Sequence, residues 1–371
     1  MERATVDVYE RRAADWLARR PPRRVDAARD FAARVSPGEV RLDAGSGPGS
    51  YTARLGAPVV ALDAALAMVR LAASQAPGAW PVQGDLEALP FRRGTLAGAW
   101  ARASYLHVER ERLPLALAEL HHALRVGAPV DLTMKRGDYE GWELPGDDFP
   151  GRFFACWAPP DLADVVVGAG FVIDDFEADS EWIVVNGRRA RTLPDTVGPR
   201  MRLLLCGLNP SLFAADAGVG FARPGNRFWP AALAAGLVTR DRDPLHALRV
   251  HGVGMTDLVK RATVGAAELA PAEFRQGLLR VWRLVARHRP GAVCFVGLTG
   301  WRAAVDRRAK AGLQPNRIGD VPVYVMPNTS GLNARVRVDE LADHLRAAAA
   351  LGPMATPPEL EPLPGPDNRP S

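Results

Sequence analysis

Cysteine is scarce: the 371 residues hold only Cys156, Cys206 and Cys294, far apart and each in apolar company. No CxxC pair or Cys/His cluster occurs, and three thiols cannot supply four cluster ligands. Zinc and iron–sulfur chemistry are therefore not expected. No apolar run reaches the ~18 residues of a membrane span, so no membrane partner is expected. The start, MERATVDVYERRAADW, is charged and lacks the apolar core of a secretory signal. These absences make the cytoplasm the expected location. Lysine is nearly missing too, since only Lys135, Lys260 and Lys310 stand among 47 basic residues. The heavy use of Arg, Ala and Gly reads as compositional bias, so arginine number is not taken as function.

What is present divides in two. Residues 1–199 carry 24 Lys+Arg against 28 Asp+Glu, a mildly acidic balance of −4. Residues 200–351 carry 22 against 11, or +11, and residues 352–371 carry 1 against 3. A strongly basic domain expects a polyanion, and nucleic acid is the usual one.

Alternation of short apolar runs with Ala/Leu-rich helical spacing predicts an α/β protein. VRLDAG (40–45), PVVALD (58–63), LAGAWA (96–101), PVDLTM (129–134) and FVIDDF (171–176) read as buried strands of a mostly parallel sheet. Residues 187–200 are polar, with Gly and Pro, and read as the connection; the linker itself is placed at 191–200. A second α/β pattern follows, with strands at 202–206, 292–296 and 321–326 and helices at 226–236, 272–288, 299–311 and 338–350. The last twenty residues hold seven prolines and few large apolar groups, which predicts a disordered tail over 352–371.

The first chemical signal is VRLDAGSGPGSYTARLG (40–56). A strand delivers Asp43, and Gly45, Gly47 and Gly49 follow at alternate positions before a helix. Such a loop lets backbone approach a ligand closely. Asp63 ends the next strand, where an acid accepts bonds from ribose hydroxyls. Asp85 and Leu86 follow the third strand in VQGDLEALPF. An acid ahead of the glycines and the additional GD favour this pattern over a nicotinamide dinucleotide fingerprint. With LAELHHALRVGAPVDLTM (117–134), it resembles the class I S-adenosylmethionine-dependent methyltransferases over about residues 5–190. The resemblance implies a Rossmann-like sheet and S-adenosyl-L-methionine as cofactor. Asp43 and the glycines would lie by its methionine part, Asp63 by the ribose, and Asp85 with Leu86 by the adenine. The methyl acceptor is unknown. Tyr9, Trp16, Tyr105, His107 and Trp157 are candidate pocket residues, with core packing as their ordinary alternative.

The second signal is LLLCGLNPS (203–211), a buried strand ending on Asn209, which is held between Leu208 and Pro210. Phe221 follows in a Gly-rich loop, and PGNRFW (224–229) opens a helix with Asn226 as its cap. VYVMPNTSGLNAR (323–335) ends another strand on a second Pro-Asn pair. With GVGMTDLVKRATVGAAEL (252–269) and CFVGLTG (294–300), these blocks resemble the mismatch-specific uracil/thymine-DNA glycosylases over about 202–348. These form one branch of the uracil-DNA glycosylase superfamily. The resemblance implies an α/β fold around a short central parallel sheet. It makes Asn209 the residue that positions the attacking water and Phe221 the platform for the flipped base. Asn328 and Ser330 would bind the base or sugar. Gly331, Leu332 and Asn333 would form the wedge that enters the vacated stack, and Arg335 would contact the opposite strand. Ser211 departs from the family, which often has glycine there. Arg223, Arg227, Lys260, Arg261 and Arg337 are candidate phosphate contacts. No lysine lies in the Asn209 or Asn328 block, so no Schiff base is expected.

The combined expectation is a methyltransferase-like domain over 1–190 fused to a glycosylase domain over 201–351. The partner would be double-stranded DNA with G·U or G·T mismatches, the base uracil, with thymine or ethenocytosine as a wider range, and the chain a monomer. Two alternatives stand beside it. The first domain would be a non-catalytic, cofactor-binding regulator, or methyl transfer would be the main activity and the second domain a lesion reader.

Overall fold

A computed structural model describes residues 1–331 and 336–352. Leu332, Asn333 and Arg335, and the proline-rich tail from 353, lie outside the described residues. The chain is mixed α/β, built on two sheets.

The first sheet contains β1 (Arg41–Ala44), β2 (Val59–Asp63), β3 (Trp80–Gln83), β4 (Gly98–Arg102) and β5 (Pro129–Lys135), all parallel. A two-residue pair, β6 (Glu140–Gly141) and β7 (Phe154–Ala155), stands apart from it. The hairpin β8 (Phe171–Ala178) and β9 (Trp182–Arg189) closes one edge antiparallel, giving the order β3-β2-β1-β4-β5-β9-β8. Strand β9 opens on the apolar run WIVV but ends on Asn186, Gly187 and two arginines, so its last residues read as connector in the sequence. The order reverses direction at β1, which lies between β2 and β4. In such sheets the crevice outside the carboxyl ends at this switch point is where ligands bind. Leu42 and Ala44 enter the main core beside β2 and β4, while Asp43 is carried on the opposite face at 3% exposure.

The second sheet contains β10 (Leu203–Gly207), β11 (Val253–Asp257), β12 (Val293–Val296), β13 (Gly312–Leu313) and β14 (Val323–Met326), in the order β11-β10-β12-β14-β13. All pairings are parallel except β13 with β14. Strand β10 is central and buried on both faces. Leu204 and Cys206 pack into one apolar cluster, Leu203 and Leu205 into the other. A strand covered on both sides needs an unbroken apolar run, which LLLC supplies. Burying each leucine is worth roughly 2–3 kcal/mol, so the strand's end is a firm base for Asn209, two residues beyond it.

Residues 190–200 are part of this packing. Thr196 bridges Met255 at the edge of β11, and Asp195 is buried at 3% exposure. Its carboxylate accepts from Thr256 Oγ1 (2.7 Å), Lys260 Nζ (2.8 Å) and Arg280 Nη1 (2.5 Å). Burial pushes this acid up, but Arg280 and Lys260 outweigh it and hold its pKa below the usual carboxylate range. Asp195→Ala would strip two buried cations of the carboxylate they bond, a change that costs about 3–5 kcal/mol. Thermal unfolding should show the second domain melting markedly earlier. The carboxylate's contribution is present above the ordinary aspartate pKa and is lost as pH falls through the lowered folded value.

Candidate functional sites

At the carboxyl end of β1 the glycine loop turns under a cleft of about 660 Å³. Gly45 N and Ser46 N both donate to Leu62 O, at 2.8 and 2.9 Å, tying the loop to β2. Gly45 and Gly49 have φ of +72° and +83°. A side chain on Gly45 would collide with Ser104, and one on Gly49 would lie 2.8 Å from Ala72 Cα. Gly47, by contrast, faces open space, its nearest neighbour being Trp16 Nε1 at 4.0 Å.

Asp63 accepts from Gly47 N and Ala65 N, both at 2.9 Å. A carboxylate has room for further donors, so ribose hydroxyls can share it. Asp43 accepts from Thr52 Oγ1 at 2.6 Å. Burial raises Asp43 to about 7 and Asp63 to about 6. Asp43, Gly45, Gly47, Asp63 and Leu86 line the cleft. Gly49 is packed against Ala72 and does not line the cleft. Asp85 is not in the lining: its carboxylate holds the Met1 amino group at 2.7 Å and Glu87 N at 3.0 Å. Ser104 Oγ, in the lining, is buried without a hydrogen-bond partner among the described residues. An orphaned hydroxyl beside an open glycine loop and two strand-end acids fits a polar nucleoside ligand.

Tyr9, Trp16 and His107 also line the cleft, whereas Tyr105 and Trp157 are buried in the core. His107 Nδ1 meets Phe153 O at 2.6 Å, so that nitrogen carries the proton and Nε2 accepts from Tyr9 OH at 2.7 Å. The tyrosine oxygen in turn accepts from Arg152 Nη1 at 2.7 Å, and Arg152 pairs with Asp147. Burial lowers His107 to about 3 and raises Tyr9 to about 12, so both are neutral. Arg152 and Asp147 carry no local motif. They reach the site on the loop before β7, and only the fold brings them to Tyr9.

At the second site, Asn209 Nδ2 donates to Thr263 Oγ1 (2.8 Å), Arg261 O (3.0 Å) and Pro210 O (3.2 Å). Two of these three partners are carbonyls, which fixes the orientation of the amide. Oδ1 is left pointing away from them as an acceptor. Phe221 adopts φ +59° and stacks on Phe228 with ring centroids 4.2 Å apart. Gly207 lies between the parts: a β-carbon there would run into Asp257 Oδ1 and lie 3.5 Å from Phe221 Cζ. Asp257, paired in register with Gly207, takes no hydrogen bond on its carboxylate from the described residues, and burial raises it to about 6. It escaped the sequence reading. Its signal was an acid ending an apolar run, the same placement that marked Asp43 and Asp63.

The two remaining loops meet beside this site. Arg227 N and Nη2 donate to Thr329 O (3.0 Å) and Ser330 O (3.1 Å). A β-carbon on Gly331 would lie 2.9 Å from Gly225 O. Asn328 Oδ1 accepts from Ser330 N at 2.9 Å, and Asn328 packs over Gly297. Asn226 Oδ1 accepts from Phe228 N at 2.9 Å, but the helix Phe228–Ala234 has Arg227 as its N-cap, so Asn226 closes the turn one residue ahead of the cap rather than capping the helix itself. Lys260 is no phosphate contact, since its ammonium is nearly buried against Asp195. Arg261 is engaged by Glu273 and Arg337 lies near Asp339.

A glycine loop and strand-end acids at one switch point, and a fixed amide at the end of another buried strand, mark two separate candidate sites on an α/β chain built on two sheets. Residues 42–130 match the Methyltransferase domain family and residues 194–350 the Uracil DNA glycosylase superfamily. The chain is a fusion of these two kinds of domain. Among solved structures it is similar to a TehB-like SAM-dependent methyltransferase from Corynebacterium glutamicum. That likeness has 19% identity and a TM-score of 0.39, and covers 51% of this chain and 100% of that one. It is also similar to a Burkholderia thailandensis 1,6-didemethyltoxoflavin-N1-methyltransferase with bound S-adenosylhomocysteine. Here identity is 22% and the TM-score 0.39, with 50% and 85% of the two chains covered.

Proposed function

We propose that the second domain hydrolyses the N-glycosidic bond of uracil mispaired with guanine in double-stranded DNA, leaving an abasic site. The observation that carries this is the amide of Asn209, turned by three acceptors so that Oδ1 can hold a water. Orientation settled before the substrate arrives is worth much of a barrier of this kind. Phe221 offers a ring face to a base swung out of the stack, and the 328–331 loop borders the same site. An amide accepts a hydrogen bond but not a proton. Asp257 is the acid available to take the proton released by the attacking water. The one lysine nearby, Lys260, is tied to Asp195, so a Schiff base is not expected. The domain's +11 charge suits a DNA backbone. Hot-alkali scission of a G·U duplex after incubation with the full chain tests the reading.

Asp257→Asn should lower saturating excision about 100-fold, the scale of a general base. Wild-type rates should fall as pH drops through about 6, where Asp257 takes up its proton. A rate–pH profile of the variant should lack that limb.

The first domain is read as binding S-adenosylmethionine in its cleft, Asp63 holding the ribose, Asp43 and the loop the methionine end, and Leu86 the adenine. The bound cofactor supplies an electrophilic methyl group. The chain's own residues shape and dry the cleft around an acceptor of unknown identity. The neutral Tyr9–His107 pair, fixed by Arg152, orients what lies beside it without carrying charge. The chain is expected to act as a monomer in the cytoplasm.

A further inference from the structure

We propose that the first domain completes the base pocket of the second, with Arg93 as a positioning residue for the Phe221 loop. The inference rests on the glycosylase reading above, in which Phe221 faces the extruded base. Phe221 is a bulky residue at positive φ, a conformation that persists only where its surroundings enforce it. From its own domain the loop has the Phe228 stack and the bond from Trp229 Nε1 to Gly220 O at 2.8 Å. Gly218 N and Val219 N also donate to Ala214 O, and Val219 and Phe221 pack on the second domain's core; further supports come from the first domain and the connection.

Arg93, in the turn after β3, donates from Nη2 to Ala215 O at 2.7 Å. That carbonyl lies in the last turn of the helix Leu212–Ala217, where helices lack internal donors and favour a cation. The guanidinium also closes over Gly218, where a β-carbon would lie 2.8 Å from Nη1. Arg191 grips Asp216 with two bonds of 2.7 and 2.5 Å. Leu193 lies 3.9 Å from where a β-carbon on Gly220 would sit. Residues 215, 216 and 218 thus each meet Arg93 or Arg191, and Gly220 faces Leu193. On the far side of the same segment, Thr192 Oγ1 donates to Lys260 O. The loop that begins there carries Thr263, which holds Asn209. The connection therefore runs between the two loops that shape the pocket. Arg93 stands seven residues beyond Leu86, so the turn that braces the pocket continues from the lining of the first cleft.

The test compares full-length wild type, Arg93→Ala and Arg93→Lys. Amide exchange over 215–221 should be about tenfold faster in R93A, a fold-change of the size one charged hydrogen bond carries. The rest of the second domain should exchange as in wild type. Inhibition of G·U excision by free uracil should weaken about tenfold in R93A, while the saturating rate changes less than threefold. R93K keeps a donor for Ala215 O and should recover part of both. Exchange equal to wild type over 215–221, or an increase spread evenly through the domain, overturns the proposal. Unchanged uracil inhibition overturns it as well. If wild type excises nothing, the glycosylase reading fails instead, and the exchange comparison still decides whether Arg93 braces the loop.

Discussion

Asn209→Ala should lower the saturating rate of uracil release by about 100- to 1,000-fold while leaving duplex affinity within about threefold. The size follows from removing a preorganised group that acts on the reacting water, a loss of about 3–4 kcal/mol. The separation from affinity follows because Asn209 spends its donors inside the protein, on Thr263, Arg261 and Pro210. Asn209→Asp is the sharper variant. An aspartate there would turn an oxygen toward two carbonyls and a hydroxyl, and repulsion from the carbonyls would rotate the side chain or force its protonation. It should therefore be slow at neutral pH despite being the better base. Single-turnover excision beside a binding isotherm measures both quantities. A fast Asn209→Asp would show that the orientation of the amide is not what matters.

Asp63→Ala should weaken binding of S-adenosylhomocysteine about 100-fold by calorimetry. The carboxylate organises the loop through Gly47 N and Ala65 N and remains free to accept from a ribose. Hydrogen bonds to a charged group contribute about 1.5–3 kcal/mol each. Asp85→Ala should cost less than about fivefold, the scale of a neutral hydrogen bond or less, because that side chain does not line the cleft. The pH dependence has a definite sign. Asp43 and Asp63 are raised to about 7 and about 6, so between pH 8 and 5.5 both take up protons. A cationic ligand favours the ionised pair. Affinity for S-adenosylmethionine should therefore fall as pH falls across this window, and a flat profile would count against the assignment.

Much of this was legible in the residues because the informative strands are buried on both faces. VRLDAG, PVVALD and LLLC declare themselves as apolar runs that end on a functional group. Strand β11 was harder: GVGMTD has glycines at 252 and 254 and carries a polar end, and its place beside β10 is set by packing. Asp257 was missed with it. The Arg152–Asp147 pair and the Asp195 cluster join residues tens of positions apart, with no local spacing to mark them. The connection misled for a related reason. GRRARTLPDTVGPR is polar, yet Thr192 and Asp195 are buried because their polar groups find partners in the second domain.

Uracil excision by the second domain meets its sharpest test in base release from a duplex carrying a single G·U pair, using the full chain in excess. The expected result is single-turnover release of uracil, scission only after alkali, and slower release from the matching A·U duplex. An intact G·U duplex that the protein nevertheless binds would contradict it, and would make the second domain a reader of lesions.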